Sequence, residues 1–373
     1  MQTIPYMGSK KKLLSFLESS LDSYYANNNL TKPQVFFDAF AGSGRVSHHF
    51  ASEYTMISND KQFYSKIILE AYLQNTRPMS FYEPIVKMLN NLPESEWANT
   101  DGWYMKTYGT SNINGSSIGL DGKPKPWTDY NAKKIDIIRS KIDELYPNHC
   151  VEKSVLLLTL MLAVSKVSNW MGHQAGYFKE FKGGSLNVLN LVMLDLPVHK
   201  NSGHQIYCDD FQNVFPLVEA DITYIDPPYG SNNKKLSKTG TTRYATFYHM
   251  WNTLMRNDKP DVWGKGNKRS DVEGYCDTLE FNDTSIVYPA FVKMLSSINS
   301  PVIMFSYSNK GLLTLEELKS CITQAGYQQN SIEVFTIGHA SNSQKTAGRT
   351  KGHCIDRDND SDPLLEYAIL AMR

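Results

Sequence analysis

The stretch that most constrains the fold is FFDAFAGSGRVS, Phe36 to Ser47. The apolar run Val35 to Phe40 reads as a buried strand, Ala41-Gly42-Ser43-Gly44 as a tight turn, and Arg45 to Phe50 as the start of a helix. Two glycines one residue apart let the backbone turn sharply and approach a ligand closely, and the following helix presents amides at its N-terminus. Gly42, Gly44 and small Ser47 nearly complete a G-x-G-x-x-small fingerprint, a pattern that a plain strand-to-helix turn also satisfies. Met56 to Ser58 reads as a second strand, ending at Asn59-Asp60 and followed by a helical stretch to about Leu73. An acid there can accept from both hydroxyls of a ribose, although a lone strand-end Asp also serves as a cap. Strand, glycine turn, helix, strand and acid form the first half of a doubly wound α/β sheet.

The alternation then stops. From about Thr76 to Lys200 helical patterns (Ala132 to Leu145, Val151 to Val167) mix with Gly/Asn/Trp-rich loops. Strand rhythm resumes at Gln205–Cys208, Asp221–Ile225, Val302–Tyr307, Ile332–Ile337 and Leu365–Met372. A chain of 373 residues exceeds one typical domain. The expected organisation is therefore one α/β domain, residues 1–75 and 201–373, interrupted by an insertion over 76–200. A long polar segment at 231–280 reads as a lid or binding loop.

Zero formal net charge argues against a polybasic coat for nonspecific nucleic-acid binding and leaves room for a local basic groove. The five cysteines are scattered and never spaced C-x-x-C, which fits a reducing cytoplasm and no zinc site. His48-His49, His353 and Cys354 suggest no metal site by spacing. No signal peptide is expected from MQTIPYMGSKKKLL, and the longest apolar run, Val155 to Val164, is too short to span a bilayer.

The third chemistry-bearing stretch is YIDPPYG, Tyr224 to Gly230. Proline lacks an N–H and forces its predecessor into extended geometry. Asp226-Pro227-Pro228 thus ends the strand while leaving the Asp226 carboxylate and nearby carbonyls without local backbone donors, at the carboxyl end of the sheet where such folds bind ligands. Tyr229 adds a flat ring. Two acceptors and a π-face suit an exocyclic amino group on a planar base.

PYMGSKKKLL, FDAFAGSG, Asn59-Asp60, YCDDF, YIDPPYG and LLEYAIL occur in that order along the chain. In this series the chain resembles S-adenosylmethionine-dependent adenine amino-methyltransferases of the Dam/DpnM type. The resemblance implies a doubly wound, mostly parallel, Rossmann-like methyltransferase sheet with a largely helical target-recognition domain inserted over 76–200. It implies that Tyr6, Lys10, Asp38, Phe40, Gly42, Gly44, Asp60, Asp210 and Phe211 bind S-adenosylmethionine. It implies too that Asp226, Pro227, Pro228 and Tyr229 hold the target amine and base. The adenine amine is a poor nucleophile because its lone pair is delocalised. Acceptors at Asp226 and the Pro227 carbonyl would localise that pair and stabilise positive charge as methyl transfers. The base must leave the duplex to be reached, and Tyr229 would stack on it.

Double-stranded DNA is the expected partner, with a restriction endonuclease acting on the same site as a possible cognate enzyme and the cytoplasm as location. For base reading, Asn169, His173, Gln174, Lys179 and Lys182 are the candidates in SNWMGHQAGYFKEFKGG. For phosphates, Lys234, Lys235, Lys238 and Arg243 head a basic set that continues through Arg256, Lys259, Lys265, Lys268 and Arg269. Cytosine N4, adenine in RNA and a catalytically silent DNA-binding module stay open as alternatives. A dinucleotide oxidoreductase would give Asp226-Pro227-Pro228-Tyr229 no purpose.

Overall fold

A computed structural model describes residues 1–111, 115–199, 203–229, 244–272, 279–339 and 364–373. Their strands are β1 (Val35–Asp38), β2 (Thr55–Asn59), β3 (Gly109–Thr110), β4 (Trp127–Thr128), β5 (Gln205–Tyr207), β6 (Ile222–Ile225), β7 (Val262–Trp263), β8 (Lys268–Arg269), β9 (Val302–Ser308), β10 (Glu333–His339) and β11 (Leu364–Met372). The helices are α1 (Leu14–Asn27), α2 (Arg45–Phe50), α3 (Phe63–Leu73), α4 (Met79–Asn90), α5 (Trp103–Tyr108), α6 (Asp129–Leu145), α7 (Val151–Lys166), α8 (Phe211–Val214), α9 (Tyr244–Phe247), α10 (His249–Arg256), α11 (Val287–Ser296) and α12 (Leu315–Gln324). The chain is mixed α/β and its main sheet is mostly parallel: β1 pairs with β6, β6 with β9 and β2 with β5 in parallel, while β11 runs antiparallel to β9 and β10. Among the described residues no helix is long and apolar enough to cross a membrane.

Two compact units are present. One comprises Met1–Lys10, Ala41–Asp210 and Arg243–Asp277; the other comprises Lys11–Phe40, Phe211–Thr242 and Thr278–Arg373. In the second unit the strand order is β10-β11-β9-β6-β1. The register Asp38↔Tyr224 and Ile225↔Phe305 puts Asp38, Asp226 and the end of β9 at one carboxyl edge. Both β6 and β9 are buried along their whole length, which is why they read as continuous apolar runs rather than alternating ones. A capping box starts α12: Thr314 Oγ1 accepts from the Glu317 amide, and the Glu317 carboxylate accepts from the Thr314 amide.

In the first unit β2 and β5 share the register Asn59↔Tyr207, so Asp60 and Cys208-Asp209-Asp210 lie at the same end. Around them is a helical core drawn from α3, α6, α7 and α10, including Tyr64, Ile67, Ile135, Leu158 and Trp251. The apolar run foreseen over 155–164 is the middle of α7, buried from Lys153 to Val164 and hence apolar on every face.

The 231–280 segment, expected as a lid or loop, is regular secondary structure over much of its described part. Residues 244–269 form α9, α10 and the β7–β8 hairpin, and His249 to Met255 are all buried. In α10 the polar His249, Asn252 and Thr253 are buried along with Met250, Trp251, Leu254 and Met255, so the amphipathic pattern of this helix does not mark a solvated face. Arg269 does not face solvent either: its guanidinium is 1% exposed and bonds Asp258 at 2.8 and 2.6 Å and Asp271 at 2.9 Å. It fastens the hairpin rather than awaiting a phosphate.

Candidate active site

The glycine turn is locked to the acid that the sequence paired with it. Gly42 and Gly44 have φ of 52° and 70°, a region that side chains other than glycine enter at a cost. A Cβ on Gly42 would stand 3.0 Å from the Tyr6 ring. The Ala41 amide donates to the Asn59 carbonyl at 2.9 Å, which ties the turn to the end of β2. One Asp60 oxygen accepts from the Gly42 amide at 2.7 Å and the other from the Gln62 amide at 2.8 Å. Burial pushes the Asp60 carboxyl up to about 6, even though both N–H donors pull it down. Its charge is therefore held by backbone dipoles, and a ligand bringing hydroxyl donors would complete the shell. Beside it, Lys61 pairs with Asp210 at 3.1 Å. Lys10 is buried at the start of a short 3₁₀ turn.

Tyr6 lies within a group of rings. Its ring stacks on Tyr248 (4.9 Å between centroids, 15°) and on Tyr244 (5.5 Å, 29°). The same two residues grip the next backbone unit: the Met7 amide donates to the Tyr248 hydroxyl at 2.7 Å, and the Tyr244 hydroxyl donates to the Met7 carbonyl at 3.3 Å. Burial raises the Tyr6 phenol well above its ordinary value, so it stays neutral. Sequence reasoning missed Tyr244 and Tyr248. Their i, i+4 spacing in YATFYHMW was the available signal.

In the second unit, β6 delivers Asp226-Pro227-Pro228-Tyr229 at its carboxyl end. The Ala39 amide donates to the Tyr224 carbonyl at 3.0 Å, continuing the β1–β6 ladder past Asp38. The Tyr229 ring packs on Tyr307 of β9, 4.2 Å between centroids at 37°. Tyr307 is fixed in turn, its hydroxyl accepting from the Leu313 amide at 3.1 Å. Burial, then the neighbouring Asp226 carboxylate, raise the Tyr229 phenol. The Pro228 carbonyl accepts from Asn282 at 3.4 Å. Phe40 and Phe211, both expected at the site, sit 5.7 Å apart with Phe215 and Phe281 around them. Tyr307, Asn282 and Phe281 were not foreseen, because nothing local in sequence ties them to Tyr229 or Phe40.

The candidate base-reading residues divide. Gln174 is 2% exposed and its side-chain oxygen accepts from the Met250 and Trp251 amides at 2.8 and 3.3 Å. Asn169 is 3% exposed and donates to the Phe178 carbonyl at 2.9 Å. As placed, neither carboxamide is presented to a base edge. His173 stacks on Phe247 at 4.7 Å and 16°. Lys179 and Lys182 are exposed, the latter 2.8 Å from Glu180. Lys234, Lys235, Lys238 and Arg243 lie outside the described residues.

Residues 6–281 match the family of D12 class N6 adenine-specific DNA methyltransferases. The chain is 30% identical over 325 residues to the modification methylase LlaI of Lactococcus lactis subsp. lactis, covering 84% of this chain and 47% of that protein. It is 28% identical over 331 residues to the type II methyltransferase M.FokI of Planomicrobium okeanokoites, covering 86% of this chain and again 47% of the relative. With the type II methyltransferase M.NlaIII of Neisseria lactamica it shares 27% identity over 326 residues, covering 86% and 88%. The chain thus spans about half the length of the first two relatives and most of the third.

Proposed function

The chain belongs to the D12 class of N6 adenine-specific DNA methyltransferases, and from that membership we propose that it methylates the exocyclic N6 amine of an adenine in a specific DNA sequence. The methyl donor is S-adenosyl-L-methionine, which supplies a sulfonium methyl as electrophile. The observation that carries the proposal is the tip of β6, where a buried strand ends in a carboxylate, two prolines and a ring braced on Tyr307.

The chain's residues suit both substrates. Asp60, with its oxygens already accepting from Gly42 and Gln62, retains acceptor capacity for the two ribose hydroxyls of the donor. The turn at Gly42 has no room for a Cβ beside the Tyr6 ring, which packs the turn against a residue of the donor's set. Phe40 and Phe211 offer apolar faces to an adenine ring. Lys10 and Asp210 complete the donor's set by their place in the family's motifs. On the acceptor side, Asp226 and the Pro227 carbonyl would accept from the two N–H groups of the target amine, draw its lone pair onto nitrogen and stabilise the positive charge there. That charge develops as the N–CH3 bond forms and the donor's S–CH3 bond breaks to leave S-adenosylhomocysteine, the methylated nitrogen then losing a proton. Asp38, at the same edge as Asp226, belongs with the donor's set by its place in the family's motifs. Tyr229 stacks on the flipped base, an interaction worth about 1–3 kcal/mol.

Target recognition is assigned to the insertion, residues 76–200, with the stretch 168–184 as its reading element. A restriction endonuclease that cuts the same sequence is the expected functional counterpart, and the cytoplasm the expected site of action. Tritiated S-adenosylmethionine offered with DNA or with RNA tests the whole reading. Label recovered from hydrolysed DNA as N6-methyladenine, and lost in Asp226→Ala, supports it. Label in cytosine or in RNA selects an alternative, and no label in any nucleic acid rejects the activity.

A further inference from the structure

Helix α10 is held by three sets of contacts that belong to different parts of the proposed reaction. Just before its first turn, the Tyr248 hydroxyl accepts from the Met7 amide at 2.7 Å, beside the stacked Tyr6. One turn on, Asn252 donates to the Gln62 side chain at 2.6 Å and accepts from the Tyr64 amide at 3.3 Å. Gln62 is the residue whose amide holds Asp60 at 2.8 Å. Tyr248 and Asn252 are four residues apart and share a face. Through them the helix touches both the N-terminal motif and the acid loop.

The third set comes from the stretch 168–184. The Gln174 side-chain oxygen accepts from the Met250 and Trp251 amides, its own amide donates to the Phe247 carbonyl at 2.8 Å, and His249 bonds its carbonyl at 3.0 Å. Trp170 meets Trp251 edge to face at 5.1 Å and His173 stacks on Phe247. At the other end of the helix Arg139 donates to the Leu254 and Met255 carbonyls at 2.8 and 3.1 Å. Both ends of α10 are therefore closed by side chains distant in sequence, in a setting from which water is excluded. Hydrogen bonds in such a setting are costly to break, so their members move together or not at all.

We propose that α10 is the element that couples the stretch 168–184 to the methyl-donor pocket, with Gln174, Tyr248 and Asn252 as positioning residues. Ordering either end stiffens the other, so that occupancy of the donor pocket sets the geometry of the reading element and the reverse. This rests on the proposed function for the identity of both ends.

The test uses the full chain and S-adenosylhomocysteine, with binding measured by calorimetry and amide hydrogen exchange measured with and without that ligand. In the wild type, exchange slows by at least about tenfold at Met7 and Gln62 and also at Met250, Trp251 and Gln174. Gln174→Leu, which removes the acceptor, raises the dissociation constant about fivefold, the worth of one buried hydrogen bond, and protection no longer reaches Gln174. Gln174→Glu keeps an acceptor oxygen at the helix start and restores both values to within about twofold. A general loss of packing would not be rescued in that way. Tyr248→Phe removes a single hydroxyl without changing shape, and also weakens the ligand about fivefold. The proposal is overturned if the ligand binds but protection stops at residues 6–62, or if Gln174→Leu and Tyr248→Phe bind it as the wild type does. If the wild type does not bind the ligand at all, the donor-site reading fails first and this inference with it.

Discussion

Asp60 and Asp226 are the same residue type at the same structural position, the first residue past a buried strand of the main sheet, and the backbone around them differs. Asp60 sits among N–H groups, one from Gly42 and one from Gln62. Asp226 is followed by two residues that have no N–H to give. A carboxylate clasped by backbone donors is a fixed anion with its position decided before a ligand arrives. One followed by prolines has no backbone donor in its next two residues. The difference resides in the backbone near each acid, the Gly42 turn with Gln62 in one case and Pro227-Pro228 in the other, and not in the acid.

Four measurements can break or sharpen this contrast. The largest effect is expected from Asp226→Ala, which lowers the rate of methyl transfer by about 10²–10³ and leaves S-adenosylhomocysteine affinity within about twofold. An equal loss of both would erase the division of labour. Asp60→Asn does the converse, weakening that ligand by about 10- to 100-fold through lost charge-assisted hydrogen bonds. In the wild type the affinity rises as pH passes upward through about 6, where the buried Asp60 ionises, and the mutant loses this step. An intermediate effect, about tenfold on rate, is expected for Pro227→Ala, which gives Asp226 a neighbouring N–H and makes it more like Asp60. Unchanged rate would mean that the prolines shape the turn only.

The last measurement concerns stability without ligand. The Asp60 carboxyl is raised in the folded chain, from 3.8 to about 6, so between these values the folded protein holds a proton that the unfolded chain has released. Stability therefore falls as pH rises from about 4 to about 6, by an amount on the order of 1–2 kcal/mol once partial exposure is allowed for. Chemical denaturation of the wild type and Asp60→Asn over that range would show the slope in one and not in the other.

Much of this was legible in the sequence because it is local. The turn at Gly42 and Gly44, the helix Arg45–Phe50 and the strand ahead of Asp226 each follow from a few consecutive residues whose conformational limits are strong. The features that escaped depend on partners far along the chain. Gln174 and Asn169 are polar residues in a glycine-rich stretch, and that composition fits a base reader and a buried clasp equally well. Only the burial of both side chains separates the two. Tyr307 supports Tyr229 from a strand almost eighty residues away, and the polar residues of α10, which by pattern would face solvent, are buried. Sequence pattern reports which groups must be satisfied, while the identity of the satisfying group is decided by packing.

The strand order of the second unit carries a consequence for assembly. β9, which bears Tyr307, and β10 follow each other in sequence, yet β11 runs between them and supplies hydrogen bonds to both. Until residues 364–372 dock, β9 has β6 on one side and a row of open amide and carbonyl groups on the other. The ring beneath Tyr229 is thus seated on a strand that remains an edge during folding and becomes interior only when β11 slots in. An intermediate lacking β11 would offer an open strand edge beside the ring on which Tyr229 packs.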